Sequence, residues 1–320
     1  MDLFEQVRQA CQRVAEQATQ VSIDHDRLAP YAASLPLEEV ERPVIDPVHH
    51  HIGYGEESLS FIVVLDTINF GSGYFPHLRK RPGMSGYFTI ASSLTERYKK
   101  HGPLSAHALA ELDASDCAQI FSQDLSNHPL CELMELFAGA LNDLGRFLLD
   151  RFSGSFACLI EEAGSSAERL VLSLSEMPCF NDVADYHGFE VPLYKRAQLM
   201  ASDLALAFGG AGPGEFHDLD RLTIFADNLV PHVLRIDRVL LYADDLARRI
   251  DRGELIAAGS AEEVEIRACA LHAVTQVTEE LRASGRTIND MLLDYLLWNR
   301  GQDRFYKTSG PRHRTRTVYY

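Results

Sequence analysis

No stretch of this 320-residue sequence reaches the roughly 18 consecutive apolar residues that a bilayer-spanning helix requires, so an integral membrane protein is not expected. The six cysteines, at positions 11, 117, 131, 158, 179 and 269, include no CxxC pair and no nearby histidine that would complete a zinc-ligand spacing. They read as reduced core residues, and neither a metal nor another cofactor is indicated. Also missing are GxGxxG after a strand, GxxxxGK[ST], HExxH and GxSxG, which leaves dinucleotide, nucleoside-triphosphate, zinc-protease and hydrolase-elbow chemistry without support. There is no Gly/Ser-rich or other low-complexity tract and no internal repeat, so the chain is expected to fold throughout. Positive charge is scarce: 30 Lys and Arg stand against 46 Asp and Glu, a formal net charge of -16. Phosphate backbones reward clustered Lys and Arg, so a nucleic-acid polymer is not the expected partner.

What is present is ordinary globular material, 46% hydrophobic and 24% charged, with enough length for a sizeable core. The first residues, "MDLFEQVRQACQRVAEQ", form an amphipathic helical pattern with acidic residues in it, unlike a secretory leader. A soluble, cytoplasmic monomer is expected. In "SAEEVEIRACALHAVTQVTEEL" apolar residues from Ile266 to Leu281 recur at three- and four-residue steps behind a capping box of Ser260 and Glu263, which predicts a long helix. Similar patterns cover residues 3–20, 105–112, 131–152, 194–208 and 287–298. Strand-like runs such as "SFIVVLDTINF" are too short and scattered for a parallel sheet. The reading is a mainly α fold with few short strands, one domain over residues 1–320 with an N-terminal helical lobe. Gly and Pro clusters at residues 71–86 and 209–214 mark loops, the first long enough to be functional.

Several carboxylates stand out. In "RLTIFADNLVPHVLRIDRVL", Asp227 precedes a helix with Pro231 in its first turn, where capping keeps a carboxylate ionised. Phe225 beside it offers an aromatic surface to a ring bearing N–H donors. Asp294, in "MLLDYLLW" with Tyr295 next to it, is surrounded by apolar residues all round the turn and must be buried with a partner or with its ionisation perturbed. A structural salt bridge and a catalytic carboxylate both answer that description. Asp66, between apolar residues, also needs a buried partner, with a structural hydrogen bond as the default. Lys195 and Arg196 open a helix where basic residues oppose the dipole, so either ion pairs with nearby acids or an anionic ligand must stabilise them. His49, His50 and His51 are adjacent, and three successive residues on regular structure cannot all face one metal; one of them can face a pocket. The tail carries Arg304, Lys307, Arg312, Arg314 and Arg316 and ends in "TVYY", apolar enough to dock.

Together "FIVVLDTINFGSGYF", "MSGYFTIASSL", "FNDVADYHGFEVPLYKRAQLMASDL", "LTIFADNLVPHVLR", "VEIRACALHAV", "LLDYLLW" and "HRTRTVYY" make the chain resemble the queuosine salvage protein family, the queuosine 5′-phosphate N-glycosylase/hydrolases. The resemblance runs in order over nearly the whole chain. It departs from the eukaryotic pattern after Asn69 and Phe70, where Gly71, Ser72 and Gly73 replace further aromatics. It implies a fold similar to helix-hairpin-helix DNA glycosylases and an enzyme that cleaves queuine, a 7-substituted 7-deazaguanine, from ribose 5-phosphate for salvage into tRNA. For this chain it implies Asp227 and Asp294 as the working carboxylates, with either one as base reader and the other as catalyst. Phe225, Tyr295, Phe70 and Asp66 become substrate-binding candidates, His49 a candidate for a sugar hydroxyl or the side arm of queuine, and Lys195 and Arg196, or else the tail arginines, candidates for the phosphate. Two alternatives remain: a helical protein that binds a modified nucleoside without cleaving it, and a glycosylase acting on a nucleic-acid polymer.

Overall fold

The computed structural model describes residues 2–40 and 43–320. The mainly helical expectation is borne out, with 58% helix and 5% strand. In chain order the helices are α1 (Leu3–Gln17), α2 (His25–Ser34), α3 (Glu56–Thr67), α4 (Gly86–His101), α5 (Ala106–Glu111), α6 (Ala114–Phe121), α7 (His128–Phe152), α8 (Phe156–Ala163) and α9 (Ala167–Leu174). After these come α10 (Lys195–Ala207), α11 (Val230–Ile236), α12 (Asp244–Asp251), α13 (Ala261–Ala283), α14 (Asp290–Arg300) and α15 (Arg304–Thr308). The strands β1 (Val21–Ile23) and β4 (Leu240–Tyr242) pair antiparallel, with Ser22 opposite Leu241, and β2 (Val183–Tyr186) and β3 (Phe189–Pro192) form a hairpin. Among the described residues no helix is long and apolar enough to cross a membrane.

The chain forms two compact units from alternating stretches. Met1–Pro43, Asp182–Lys195 and Asp218–Arg316 build the first; Val44–Asn181, Arg196–His217 and Thr317–Tyr320 build the second. Because the stretches interleave, no single shift in composition marks a boundary.

In the first unit α13 is the central element, packed against α1, α2, α11 and α14. Its apolar face runs through Val264, Ala268, Leu271, Val274 and Leu281. The helix is so enclosed that Glu263, Glu265 and Arg267 are buried as well. Each must therefore be met by hydrogen bonds. Glu265 takes the backbone N–H groups of Thr19, Gln20 and Val21 at 3.1, 2.6 and 3.0 Å and the Tyr186 hydroxyl at 2.9 Å, tying the turn between α1 and β1 to the core. The expected capping box is half formed. Ser260 Oγ accepts the Glu263 N–H at 3.3 Å, but the Glu263 carboxylate turns to the Gly259 N–H, 3.1 Å away, and to Arg267.

In the second unit α7 is the spine, with α5, α6, α8 and α3 against it. Gly145 lets α5 lie directly on α7: a Cβ there would fall 2.4 Å from the Ala110 nitrogen and 2.6 Å from the Ala106 oxygen. The strand-like run "SFIVVLDTINF" belongs largely to α3, and this corrects the sequence reading. Ser58 through Thr67 are all buried, so the helix is enclosed on every side. A continuous apolar run carries no periodic signal to separate helix from strand, and burial then overrides the β preference of Ile62, Val63 and Val64. The residues 71–86 are loop until α4 begins, as expected. The terminal Tyr320 is buried, and its carbonyl accepts the Gly71 N–H at 2.9 Å, so "TVYY" does dock.

Candidate active site

In the first unit one short segment, residues 225–230, is held at nearly every position. Asp227 Oδ1 accepts the N–H groups of Leu229 and Val230 at 2.6 and 3.2 Å, so it caps the first N–H of α11 from two residues ahead of the N-cap position, Leu229. Pro231 sits in the first turn of that helix, where its missing N–H costs nothing. Capping occupies only Oδ1. Asp227 is half-buried, and its second oxygen accepts no hydrogen bond among the described residues. A carboxylate fixed by one oxygen and open at the other can accept donors from a ligand.

Asp294 lies on α14 and is buried, as its apolar surroundings required. Its Oδ1 accepts the Phe225 N–H at 2.8 Å, so it reaches the same segment. Arg267 donates to the Ala226 carbonyl at 2.9 Å, and the Asn228 amide donates to the His313 carbonyl at 3.3 Å. Phe225 is buried, while Tyr295 is half-buried on α14. Thus Asp227, Asp294, Phe225 and Tyr295 share one neighbourhood. Lys195, at the start of α10, belongs to the same unit; Asp182 Oδ2 accepts its backbone N–H at 3.1 Å.

The second unit holds the other sequence candidates. Arg196 is buried with its guanidinium between the rings of Phe70 and Phe180, 4.8 and 4.7 Å from their centroids. It donates to the carbonyls of Asp66, Thr67 and Cys179. Asp66, Phe70 and Arg196 are therefore neighbours. His49 is half-buried against Phe88, with Nδ1 2.8 Å from Ser92 Oγ and Nε2 3.6 Å from Asp46. His50 is buried. Its Nδ1 faces the Asp46 carbonyl at 2.8 Å, which can only accept, so Nε2 is left to accept the Tyr87 hydroxyl at 2.8 Å. Burial lowers the His50 pKa and raises that of Tyr87 well above the usual phenol value, with Asp203 and Asp66 adding to the latter. Among the described residues no group of three or more His, Cys, Asp or Glu is arranged to hold a metal ion.

A family model described as queuosine salvage protein matches residues 48–320. The chain belongs to the queuosine salvage protein family. It is 39% identical over 313 residues to a queuosine 5′-phosphate N-glycosylase/hydrolase of Sphaerobacter thermophilus, covering 96% of this chain and 95% of that one. A protein of the same name from Mus musculus is 31% identical over 337 residues, with 98% of each chain covered. One from Schizosaccharomyces pombe is 28% identical over 290 residues, with 82% of this chain and 83% of that one covered. The resemblance read from the motifs is borne out.

In this member of the queuosine salvage family, sequence reasoning left several residues around the candidates without a role. In the sequence Arg267 is one charged residue on a long helix, and no local pattern marks Asn228. The histidine triplet gave no means of separating His50 from its neighbours, because only a tertiary partner, Tyr87, distinguishes them. Arg312, a tail arginine, carries an electrostatic link to Asp227: burial lowers its pKa and the Asp227 carboxylate opposes that.

The same neighbourhood predicts acid sensitivity. Burial lowers the His313 pKa from 6.5 to about 3, with Arg267, His232 and Arg235 adding to the shift. Burial lowers His232 as well. A depressed folded-state pKa means that the unfolded chain takes up the proton first. The contribution of neutral His313 is therefore complete above about pH 6.5 and declines as pH falls toward 3, by about 1.4 kcal/mol per pH unit for one such group. Urea unfolding at pH 7, 6, 5 and 4 should give falling midpoints, and His313→Gln should flatten that slope. An equal slope in the variant would show that His313 does not drive it.

Proposed function

We propose that this chain hydrolyses the N-glycosidic bond of queuosine 5′-phosphate, releasing queuine and ribose 5-phosphate. The observation that carries the reading is the family match joined to a pair of carboxylates, Asp227 and Asp294, held on one backbone segment. Cleavage proceeds through an oxocarbenium-like sugar, so a fixed negative charge near the ribose stabilises the transition state. Water supplies hydroxide to C1′ and a proton to the departing ring nitrogen. A 7-deazaguanine has no N7 to protonate, so help for the leaving group must come from hydrogen bonds elsewhere on the base. Its guanine-like edge presents adjacent N–H and amino donors, which one carboxylate can accept together.

Asp227, with one oxygen capping and the other open, suits that edge; Asp294 then serves the sugar or its attacking water. The reverse allocation uses the same two groups. Phe225 and Tyr295 are assigned to packing against the ligand, Asp66 and Phe70 to supporting contacts, and His49 to a sugar hydroxyl or the side arm of queuine. Of the two basic residues opening α10, Arg196 already serves three backbone carbonyls, so the phosphate is assigned first to Lys195. The protein is taken to act as a cytoplasmic monomer on a free mononucleotide, with no base to flip from a duplex. Residues 1–320 are taken as one queuosine-salvage glycosylase domain with an N-terminal helical lobe.

The test is chromatographic detection of queuine released from queuosine 5′-phosphate in the presence of EDTA. Release is expected; a tight complex without release would make this a binding protein. In a gel-shift at physiological salt no tight retention of tRNA is expected, and nanomolar affinity would favour a polymer substrate.

A further inference from the structure

We propose that the buried Arg267–Asp182 pair is a positioning device for the reaction, one that aims the Asp227 carboxylate through the peptide preceding it. This rests on the functional reading above. Both side chains are almost fully buried, and their contacts use the whole guanidinium fork: Nη1 lies 3.0 Å from Asp182 Oδ1, Nη2 2.6 Å from Asp182 Oδ2, and Nε 2.9 Å from the Ala226 carbonyl. Glu263 adds a looser contact to Nη1 at 3.5 Å.

Stability alone explains this arrangement poorly. Apolar residues of similar volume commonly replace a buried ion pair with no loss of stability, because desolvation offsets the attraction. What an apolar pair cannot supply is direction. A guanidinium is planar, and holding a carboxylate with two nitrogens leaves the third pointing along one line. That line ends on the Ala226 oxygen. The Ala226 carbonyl, the Asp227 nitrogen and the Asp227 Cα lie in one peptide plane, so gripping the oxygen fixes the plane from which the Asp227 side chain departs. Asp294 grips the Phe225 N–H on the preceding side. The brace also has a second end: Asp182 Oδ2 accepts the Lys195 N–H, and the Asp182 carbonyl accepts those of Leu193 and Tyr194 at 2.9 and 3.2 Å. One ion pair thus holds both the Asp227 segment and the first turn of α10 where Lys195 stands.

The test uses full-length protein, with kcat and KM for queuine release measured beside thermal unfolding. Arg267→Lys keeps the charge but cannot fork, and the paired replacement Arg267→Met with Asp182→Leu keeps the volume while abolishing direction. Both are expected to lower kcat by about 10²-fold, the effect of a misplacement near 1 Å, with KM rising too where Asp227 reads the base and staying within about threefold of wild type where it serves the sugar. The paired replacement also takes these partners from the Lys195 N–H, the Ala226 carbonyl and Glu263, so its unfolding midpoint is expected to fall. A kcat loss in Arg267→Lys beyond what its own change of midpoint explains is what separates aiming from scaffolding. Wild-type kcat in Arg267→Lys, or losses of kcat in both variants that merely track the unfolding midpoint, would overturn the proposal. If the paired variant did not fold, Arg267→Lys alone would decide by its kcat against its unfolding midpoint. Failure of the wild type to release queuine would instead count against the functional reading, since the brace concerns only how the variants compare with it.

Discussion

Asp227→Asn is expected to lower queuine release by roughly 10³-fold, the scale of losing one charge aimed at a transition state. The same substitution is expected to leave stability within about 0.5 kcal/mol, since Asn caps helices about as well as Asp. The two roles separate because they use different features of the side chain. The cap needs only an oxygen in the Oδ1 position, accepting from Leu229 and Val230, and the Asn amide oxygen provides it. Chemistry or base recognition needs the negative charge, which the amide removes. Asp227→Ala removes both and should cost about 1 kcal/mol more in stability. Asp294→Asn follows the same logic, because its amide oxygen can still accept the Phe225 N–H. A comparable loss of release is expected there with the fold retained. Near wild-type turnover in either Asn variant would relegate that carboxylate to structure, and would decide whether Asp227 is more than a cap. The allocation between the two can then be read from queuine affinity measured by calorimetry. The base reader should lose product binding along with turnover, while the group serving the sugar should lose turnover alone.

Glu265→Ala is expected to be among the most destabilising single changes outside the site, at about 4 kcal/mol in urea unfolding, through donors left buried without an acceptor. The side chain is fully buried at 0% exposure, so water cannot replace it. One oxygen collects three successive backbone N–H groups, Thr19 to Val21, and the other takes the Tyr186 hydroxyl. Truncation strands the three backbone donors at once and leaves the Tyr186 hydroxyl only a long contact to the Gln17 carbonyl at 3.5 Å. Glu265→Gln should lie between, because its amide oxygen can keep the backbone groups while its NH2 turns to the tyrosine oxygen. A loss below about 1 kcal/mol in the Ala variant would show that the turn relaxes to find solvent.

How much of this was legible beforehand depended on the range over which each signal acts. The α13 pattern could be read because its period is local and because Ser260 marks the start. Asp294 could be singled out because the apolar residues around it lie within one turn. Asp227 was recognisable as a cap by its place before Pro231. The run containing Phe61 to Leu65 was read the wrong way, since enclosure on every side erases the period that tells helix from strand. Glu263 was half right: its spacing from Ser260 is that of a capping box, but the guanidinium of Arg267 and the Gly259 N–H drew the carboxylate elsewhere.

By itself the sequence determined the helical class, the family, the capped helix after Asp227 and the need of Asp294 for burial with a partner. These rest on composition, on three- and four-residue periods and on contiguous motifs. Only the tertiary structure decided that the two carboxylates meet on one segment, that Arg196 turns inward to carbonyls, and that Arg267 and Asp182 brace the Ala226 carbonyl. Those contacts join residues 69, 130, 41 and 85 positions apart. A hydrogen bond acts over about 3 Å, and nothing in local spacing records which distant group will come within that reach once the core has packed.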